Sequence, residues 1–289
     1  MEIYRDTTST VILEHPVAGP LTADIYRGDE LISANQSVTS TTGKHSTVLD
    51  WNLTAYDGQL KIVWKKTGFS RTTWEEVVTP IIPLSELAEL LEDVSDDDRY
   101  DAESVVRRII EAYTGQSFGK FTGTEMVNGN DSTQLALPRP LLSFTDMSDD
   151  MFVFDVNSFI TRGQGWFLAG RPGAYWTIKD APPEDVLDDF NNVIYAPGTI
   201  KKRDFSYTSV YTITGDWGYE TVPYPVIQAA RLLISDYACQ DSSYRDRYLQ
   251  SIKAADWRLQ FTQAAYDGTG NLKADQLLND YKLSNLAVI

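Results

Sequence analysis

Gly115-Gln116-Ser117-Phe118-Gly119 fits G-x-S-x-G, the turn that lifts a nucleophilic serine above a sheet. That chemistry needs strand, turn and helix in order, with a histidine later in the chain to take the serine proton. Here a helical pattern precedes the motif and strand patterns follow it. The only histidines, His15 and His45, both lie upstream. The segment is therefore read as a helix end turning into a strand. "DVSDDDRYD", Asp93 to Asp101, brings five aspartates together. A calcium loop of the EF-hand kind needs Gly at its sixth position and Glu at its twelfth, and counting from Asp93 places Asp98 and Ser104 there. An acidic helix start explains the run better. Gly43-Lys44 lacks the rest of a phosphate loop, and Gly163-Gln164-Gly165 lacks the third glycine of a dinucleotide turn. Glycosidase-like carboxylate pairs stay open, because their separation is a property of space rather than of sequence. Trp166-Phe167 and Tyr175-Trp176 could stack a sugar or fill a strand core. No catalytic, cofactor-binding or metal-ligating residue is assigned.

The elements that would carry these residues change character along the chain. Residues 1–79 show short alternating runs, "TSTVILEH", "LTADIYRG", "STVLDWNLT" and "GQLKIVWKK". Turns at Arg27-Gly28-Asp29 and Tyr56-Asp57-Gly58 separate them, which predicts a small β-sandwich. "TPIIP", residues 79–83, reads as a linker. Helices are expected over 84–94, with Ser85 as cap, and over 98–114, stopped by Gly115. In the second, Val105, Ile109 and Ala112 form one stripe, and Val106, Ile110 and Tyr113 widen it.

Residues 117–221 read as strands and loops: "TQLAL", "MFVFDV", "WFLAG", "YWTIK", "NVIYA" and "YTSVYTITG", with a hairpin turn at Asn128–Asp131. Two more helices follow, over 224–239 and 243–265. Val226, Ala230, Leu233 and Tyr237 stripe the first; Ile252 and Leu259 share a face of the second. Gly215, Gly218, Pro223 and Pro225 mark a structural corner before them. The glycines would let a strand turn sharply, and the prolines would set the start of a helix. The expected division is 1–79, 80–271 and a tail, 272–289.

With 25 Lys and Arg against 41 Asp and Glu, the formal charge is −16. A nucleic-acid grip by counterion release needs clustered cations, so that class is disfavoured. A surface that lets DNA pass is not. Cys239 is the only cysteine, which rules out a disulfide framework within the chain and favours a cytosolic origin. The first residues show no secretory pattern, and no apolar run reaches the ~18 residues of a membrane span.

From Pro83 onward the order of signals resembles the head–tail connector, or adaptor, family of tailed bacteriophages. "IIPLSELAELLEDVSDDD" with "YDAESVVRRIIEAYTGQSF" resembles the family's paired helices and T-G-x-x-F turn. "VNGNDSTQLALPRPLL" is similar to its first hairpin. "YTITGDWGYETVPYPVIQAARLLI" is similar to the strand and V-P segment that start its third helix. "DGTGNLKADQLLNDY" is similar to its G-T-G-N … D-x-L-L-x-x-Y tail. The match brackets about 200 residues and rests on order and spacing rather than on any one motif. Residues 1–79 have no counterpart in a minimal adaptor, and the β region is enlarged.

The resemblance implies an α+β protein: an N-terminal β-sandwich joined to a helical-bundle connector domain with an inserted antiparallel β region. It implies a structural virion protein of the neck, assembled in the host cytoplasm, with no catalysis and no cofactor. Its partners would be the portal protein, the tail or tail-terminator protein, and further copies of itself in a homo-oligomeric ring of about twelve subunits. The capsid is a candidate partner for 1–79, and DNA would slide through the channel. Leu277, Leu278, Tyr281, Leu283, Leu286, Val288 and Ile289 would dock on the portal, so deleting 272–289 should abolish that contact and leave a folded protein. Two alternatives stand beside it. One is a carbohydrate-binding or carbohydrate-active protein using exposed Trp or Tyr on a sheet face. The other is a further phage part, such as a baseplate or fibre component.

Overall fold

Period-two burial makes the first strands. In β2 (Ser9–Glu14) Val11 and Leu13 are buried while Ile12 and Glu14 face out. β1 (Glu2–Tyr4), β8 (Phe69–Val78), β7 (Gly58–Lys66), β3 (Thr22–Arg27) and β4 (Glu30–Ser37) form one sheet in that order. β2, β6 (Lys44–Leu49) and β5 (Thr39–Thr41) form the other. The sheets share a core that includes Ile3, Val11, Leu13, Ile25, Leu49, Leu60 and Trp64, which makes this module a sandwich. Trp64 is fully buried and its indole N–H donates to Thr73 Oγ1 at 2.9 Å. Among the described residues β1 alone pairs in parallel, with β8.

This computed structural model of the chain describes residues 2–92, 94–149, 152–171, 176–178, 186–187, 193–195, 199–200, 204–238, 251–254, 257–260 and 268–283. The architecture is α+β with several sheets. It divides into two compact units, Met1–Gly119 with Thr221–Ile289, and Lys120–Glu220. The "TPIIP" segment does not separate them, because Ile81 and Ile82 are buried inside the first unit.

That segment is held by two carboxylates. Asp57 accepts from Thr79 N at 3.0 Å and Thr79 Oγ1 at 2.7 Å. Glu103 accepts from Ile81 N at 2.9 Å and the Tyr4 hydroxyl at 3.1 Å. Glu103 lies on α2 (Asp96–Thr114), one turn before Arg107, whose Nε is 3.3 Å from it. Arg107 also reaches Glu2 on β1 at 2.5 Å, and Arg108 reaches Glu2 at 2.7 Å. Burial pushes Glu103 above the usual carboxylate range, and Arg107 offsets only part of that. Burial also pushes Glu2 up, but its two arginines outweigh it and hold that carboxyl low.

The buried face of α2 is therefore Ala102, Glu103, Val106, Arg107, Ile110 and Thr114, while Val105 is exposed. Its Ser95 side chain accepts from Asp98 N, and Asp96, Asp97 and Asp98 fill the first turn, where carboxylates favour the helix dipole. α1 spans Leu84–Leu90, shorter than expected. It starts from the Pro83 carbonyl rather than from a Ser85 side-chain cap. α3 (Tyr224–Ala238) packs against α2 and against α4 (Leu272–Leu278), and Arg231 of α3 pairs with Glu86 of α1.

The helix expected over 243–265 is corrected where the structure describes it. β20 (Ser251–Ala254) and β21 (Trp257–Gln260) pair antiparallel, with Ile252 opposite Leu259. Residues seven apart can share a helix face or meet across a tight hairpin, and Ile and Trp favour the strand. Ile252 and Leu259 are thus not helix-core residues.

In the second unit, all six expected strands contain a strand: β10 (Gln134–Ala136), β12 (Phe152–Phe154), β14 (Phe167–Gly170), β15 (Trp176–Ile178), β17 (Val193–Tyr195) and β19 (Val210–Gly218). β9 (Lys120–Asn128), β11 (Leu141–Ser148), β13 (Phe159–Arg162), β16 (Val186–Leu187) and β18 (Thr199–Ile200) join them. The main sheet runs β18-β15-β12-β11-β19-β9. Its core gathers Phe154, Phe159, Phe205, Tyr211 and Trp217. The expected hairpin at Asn128–Asp131 is a crossing between sheets: β9 pairs β19, and β10 pairs β14. Gly129 lies so close to Ser206 that an added Cβ would sit 1.8 Å from its carbonyl oxygen.

Gly215 has a different reason from the expected sharp turn. It stays extended within β19, where β11 bulges toward it, and an added Cβ would lie 2.1 Å from the Ser143 carbonyl oxygen. Gly218 does adopt a positive φ, 95°, at the strand end.

Two measurements follow from these placements. Gly215→Ala should lower the stability of the second unit by about 1–3 kcal/mol in urea unfolding, because backbone must move. Gly170→Ala, whose Cβ would meet nothing within 4 Å, should stay within about 0.5 kcal/mol of wild type. In the first unit, burial raises the Asp57 carboxyl to about 6, against the opposing hydrogen bonds from Thr79. The folded state thus holds this proton more tightly than the unfolded chain. Its stabilising share is complete below the unfolded value and is lost as pH rises through about 6. Asp57→Asn, which can still bond Thr79, should gain about 2–3 kcal/mol relative to wild type between about pH 4 and pH 7. A constant difference across that range would contradict the assignment.

Candidate functional site

Two of the segments that carried the family resemblance, the T-G-x-x-F turn and the G-T-G-N tail, meet at one joint of the first unit. α2 stops because Gly115 takes φ 74°, a left-handed value that favours glycine, while its N–H donates to Glu111 O at 2.8 Å. The turn carries Phe118 into the interior, 2% exposed, where its ring meets Tyr281 edge-on at 5.9 Å. Gln116 Nε2 donates to the Tyr281 carbonyl at 2.5 Å. Burial, with Asp280 beside it, raises the Tyr281 hydroxyl above its ordinary value.

The G-T-G-N loop is the other half. Asn271 Oδ1 accepts from Lys273 N at 3.0 Å and Ala274 N at 3.2 Å, capping α4. Its Nδ2 donates to Asp236 of α3 at 2.7 Å, so one side chain starts a helix and ties it to another. Asp275 Oδ1 accepts from Thr269 N at 2.9 Å and Thr269 Oγ1 at 2.7 Å. Gly268 is pressed against that carboxylate: a Cβ would sit 2.0 Å from Asp275 Oδ2. The cap aims Ala274 and Leu278 inward, both fully buried. Lys282 then lies over the Tyr113 ring, 3.7 Å from its centroid.

This changes the reading of the tail. Leu278 is used inside its own unit, Leu277, Tyr281 and Leu283 are half-buried, and Leu283 lies over Gly115. The base of the tail is seated rather than free, because its capped helix presents an apolar face to α2 and α3. Leu286, Val288 and Ile289 lie outside the described residues, as does Cys239. On α3, Val226, Ala230 and Leu233 are buried, whereas Tyr237 is 44% exposed at the helix end. The Pro223 carbonyl accepts from Val226 N at 2.9 Å and Ile227 N at 3.2 Å, and Pro225 sits in the first turn where no N–H is needed.

The residues tested for chemistry are occupied otherwise. Ser117 bonds Glu111 and receives Gly119 N at 3.4 Å. Gly119 itself leaves no room for a side chain, since a Cβ would sit 1.7 Å from Asp57 Oδ2. His45 bridges Ser40 Oγ and the His15 carbonyl, and the His15 ring lies 4.9 Å from Phe69. Among the described residues no three His, Cys, Asp or Glu side chains gather to hold a metal ion. Sequence reasoning missed Asp57, Glu103, Arg107 and the Asn271–Asp236 bond. Only the joint-forming pair left a signal, an Asn in cap position before an apolar run.

No protein-family model matches this chain, and no curated protein matches it. Among solved structures, a chimeric titin Z1Z2-Z1Z2 tandem carrying an exogenous fibronectin peptide is 10% identical, with 75% of this chain and 80% of that one covered and a TM-score of 0.23. Titin domains z1z2 in complex with telethonin are 11% identical over 62% of this chain and 81% of theirs, with a TM-score of 0.21. The twitchin kinase region from C. elegans is 8% identical over 27% of this chain, at a TM-score of 0.21, and the match spans only 14% of that protein. At these scores the likenesses carry no conclusion about fold or function.

Proposed function

We propose that this chain is a structural virion protein, a head–tail connector that closes a homo-oligomeric ring between portal and tail of a tailed bacteriophage. The observation that carries the reading is the convergence of its motifs. Gly115 and Phe118 from T-G-x-x-F, and Asn271, Asp275, Leu278 and Tyr281 from the tail, meet at one joint with α3. Motifs far apart in sequence have a shared reason to keep their order if they build one joint. The helices α1 and α2 precede the β region and α3 follows it, as the resemblance implies, while α4 lies within the expected tail.

In this reading the helices form the connector bundle and the acidic chain lines a channel through which DNA slides. The residues after Leu283, including Leu286, Val288 and Ile289, dock on the portal. Leu278 and Tyr281 anchor the base from which they extend. The sandwich contacts a neighbouring subunit, the tail or the capsid.

Electron microscopy of the protein mixed with a portal should show a closed ring, and particles without rotational symmetry would sink the proposal. Deleting 285–289 should abolish co-sedimentation with portal while the melting temperature holds. Unchanged co-sedimentation would remove the docking role. Deleting 272–289 should instead destabilise the unit, because it uncovers Phe118 and removes Leu278. Asn271→Ala should cost about 1 kcal/mol in unfolding and leave portal binding intact once folded.

A further inference from the structure

A groove of about 920 Å³ opens in the first unit between α2 and the outward face of the five-stranded sheet. One wall is a helical stripe, Asp97, Tyr100, Asp101, Ser104 and Arg108. The opposite side is Glu2, Trp74 and Glu76 on β1 and β8. Its carboxylates outnumber its one guanidinium, and that guanidinium, Arg108, is already paired with Glu2. Trp74 and Tyr100 are 52% and 43% exposed in it.

Two features describe the same occupant. The field of the groove is negative, which draws cations and repels nucleic acid. Exposed aromatic rings favour guanidinium or ammonium groups, and Tyr100 keeps its partial exposure while its ring packs 5.3 Å from that of Tyr4. Trp74 already has a lysine near it, with Lys61 Nζ 6.0 Å from its ring centroid and 5.1 Å from that of Tyr26.

We propose that this groove is a docking site for an Arg- or Lys-bearing segment of a partner protein. The site does not depend on the connector reading: it would serve any assembly in which a basic arm meets this module. Trp74 and Tyr100 stack on the cationic side chains, and Glu76, Asp97 and Asp101 supply the charge.

Tetra-arginine amide, titrated calorimetrically into the full chain at low salt, tests this, with tetra-glutamate as control. Binding of tetra-arginine alone is expected, weakening as salt rises. Trp74→Ala should raise its Kd about threefold or more, and Trp74→Phe less, which separates loss of the ring from damage to the fold. Asp97→Asn with Asp101→Asn should raise Kd about tenfold and flatten the salt dependence. Glu14→Gln with Glu30→Gln, exposed carboxylates elsewhere on the sandwich, should change nothing. Absence of tetra-arginine binding would overturn the proposal. So would equal weakening by the groove and control pairs, since net charge alone would then explain it. Trp74-dependent binding of neutral cellohexaose without a response to tetra-arginine would also overturn it, in favour of a sugar.

Discussion

The first unit depends on a carboxylate that is almost wholly out of water. Glu103, with 1% of its side chain exposed, sits between β1, the 79–83 segment and its own helix neighbour Arg107. A buried charge of this kind costs several kcal/mol unless every lone pair is met. Here Tyr4, Ile81 N and Arg107 meet them, and Glu2 in turn satisfies the remainder of Arg107. Apolar residues of equal volume could stabilise the contact as well, yet they would tolerate a slide of the helix along the sheet. Hydrogen bonds near 3 Å do not. They set the axial position of α2, hence where Gly115 falls, and hence where Phe118 meets Tyr281.

The parts of the fold legible in sequence are those written in periodicity. Val11 and Leu13 alternate with Ile12 and Glu14, and the same rule found β3, β6 and β7. Six strands of the second unit were legible as short β-rich runs between turn residues. Helix ends at Ser95, Gly115 and Pro223 were visible to within a few residues because caps are local chemistry.

What periodicity hid was anything that depends on a distant partner. A glutamate in a helix reads as solvated face, so Glu103 was invisible until Tyr4 and Ile81 stood beside it, and the expected stripe, right at Val106 and Ile110, also took in the exposed Val105. Asp57 read as a turn former before Gly58, though its carboxylate faces inward to Thr79. Gly129 and Gly215 looked like flexible points, whereas both are places where another backbone carbonyl presses too close for a side chain. Ile252 and Leu259 show the limit most sharply, because one seven-residue spacing satisfies two periodicities.

An apolar chain end is ambiguous in the same way, since composition cannot distinguish residues meant for a partner from residues meant for the chain itself. At this end the cap decides. Asn271 fixes the start of α4 and its bond to Asp236 fixes the direction, so Leu278 is driven into the interior. A partner that needed Leu278 would first have to extract it, at about 2–5 kcal/mol, and that cost would subtract directly from affinity. A partner that leaves Leu278 in place avoids that cost. The seated half of the tail is therefore better understood as part of its own unit than as a segment held ready for a partner.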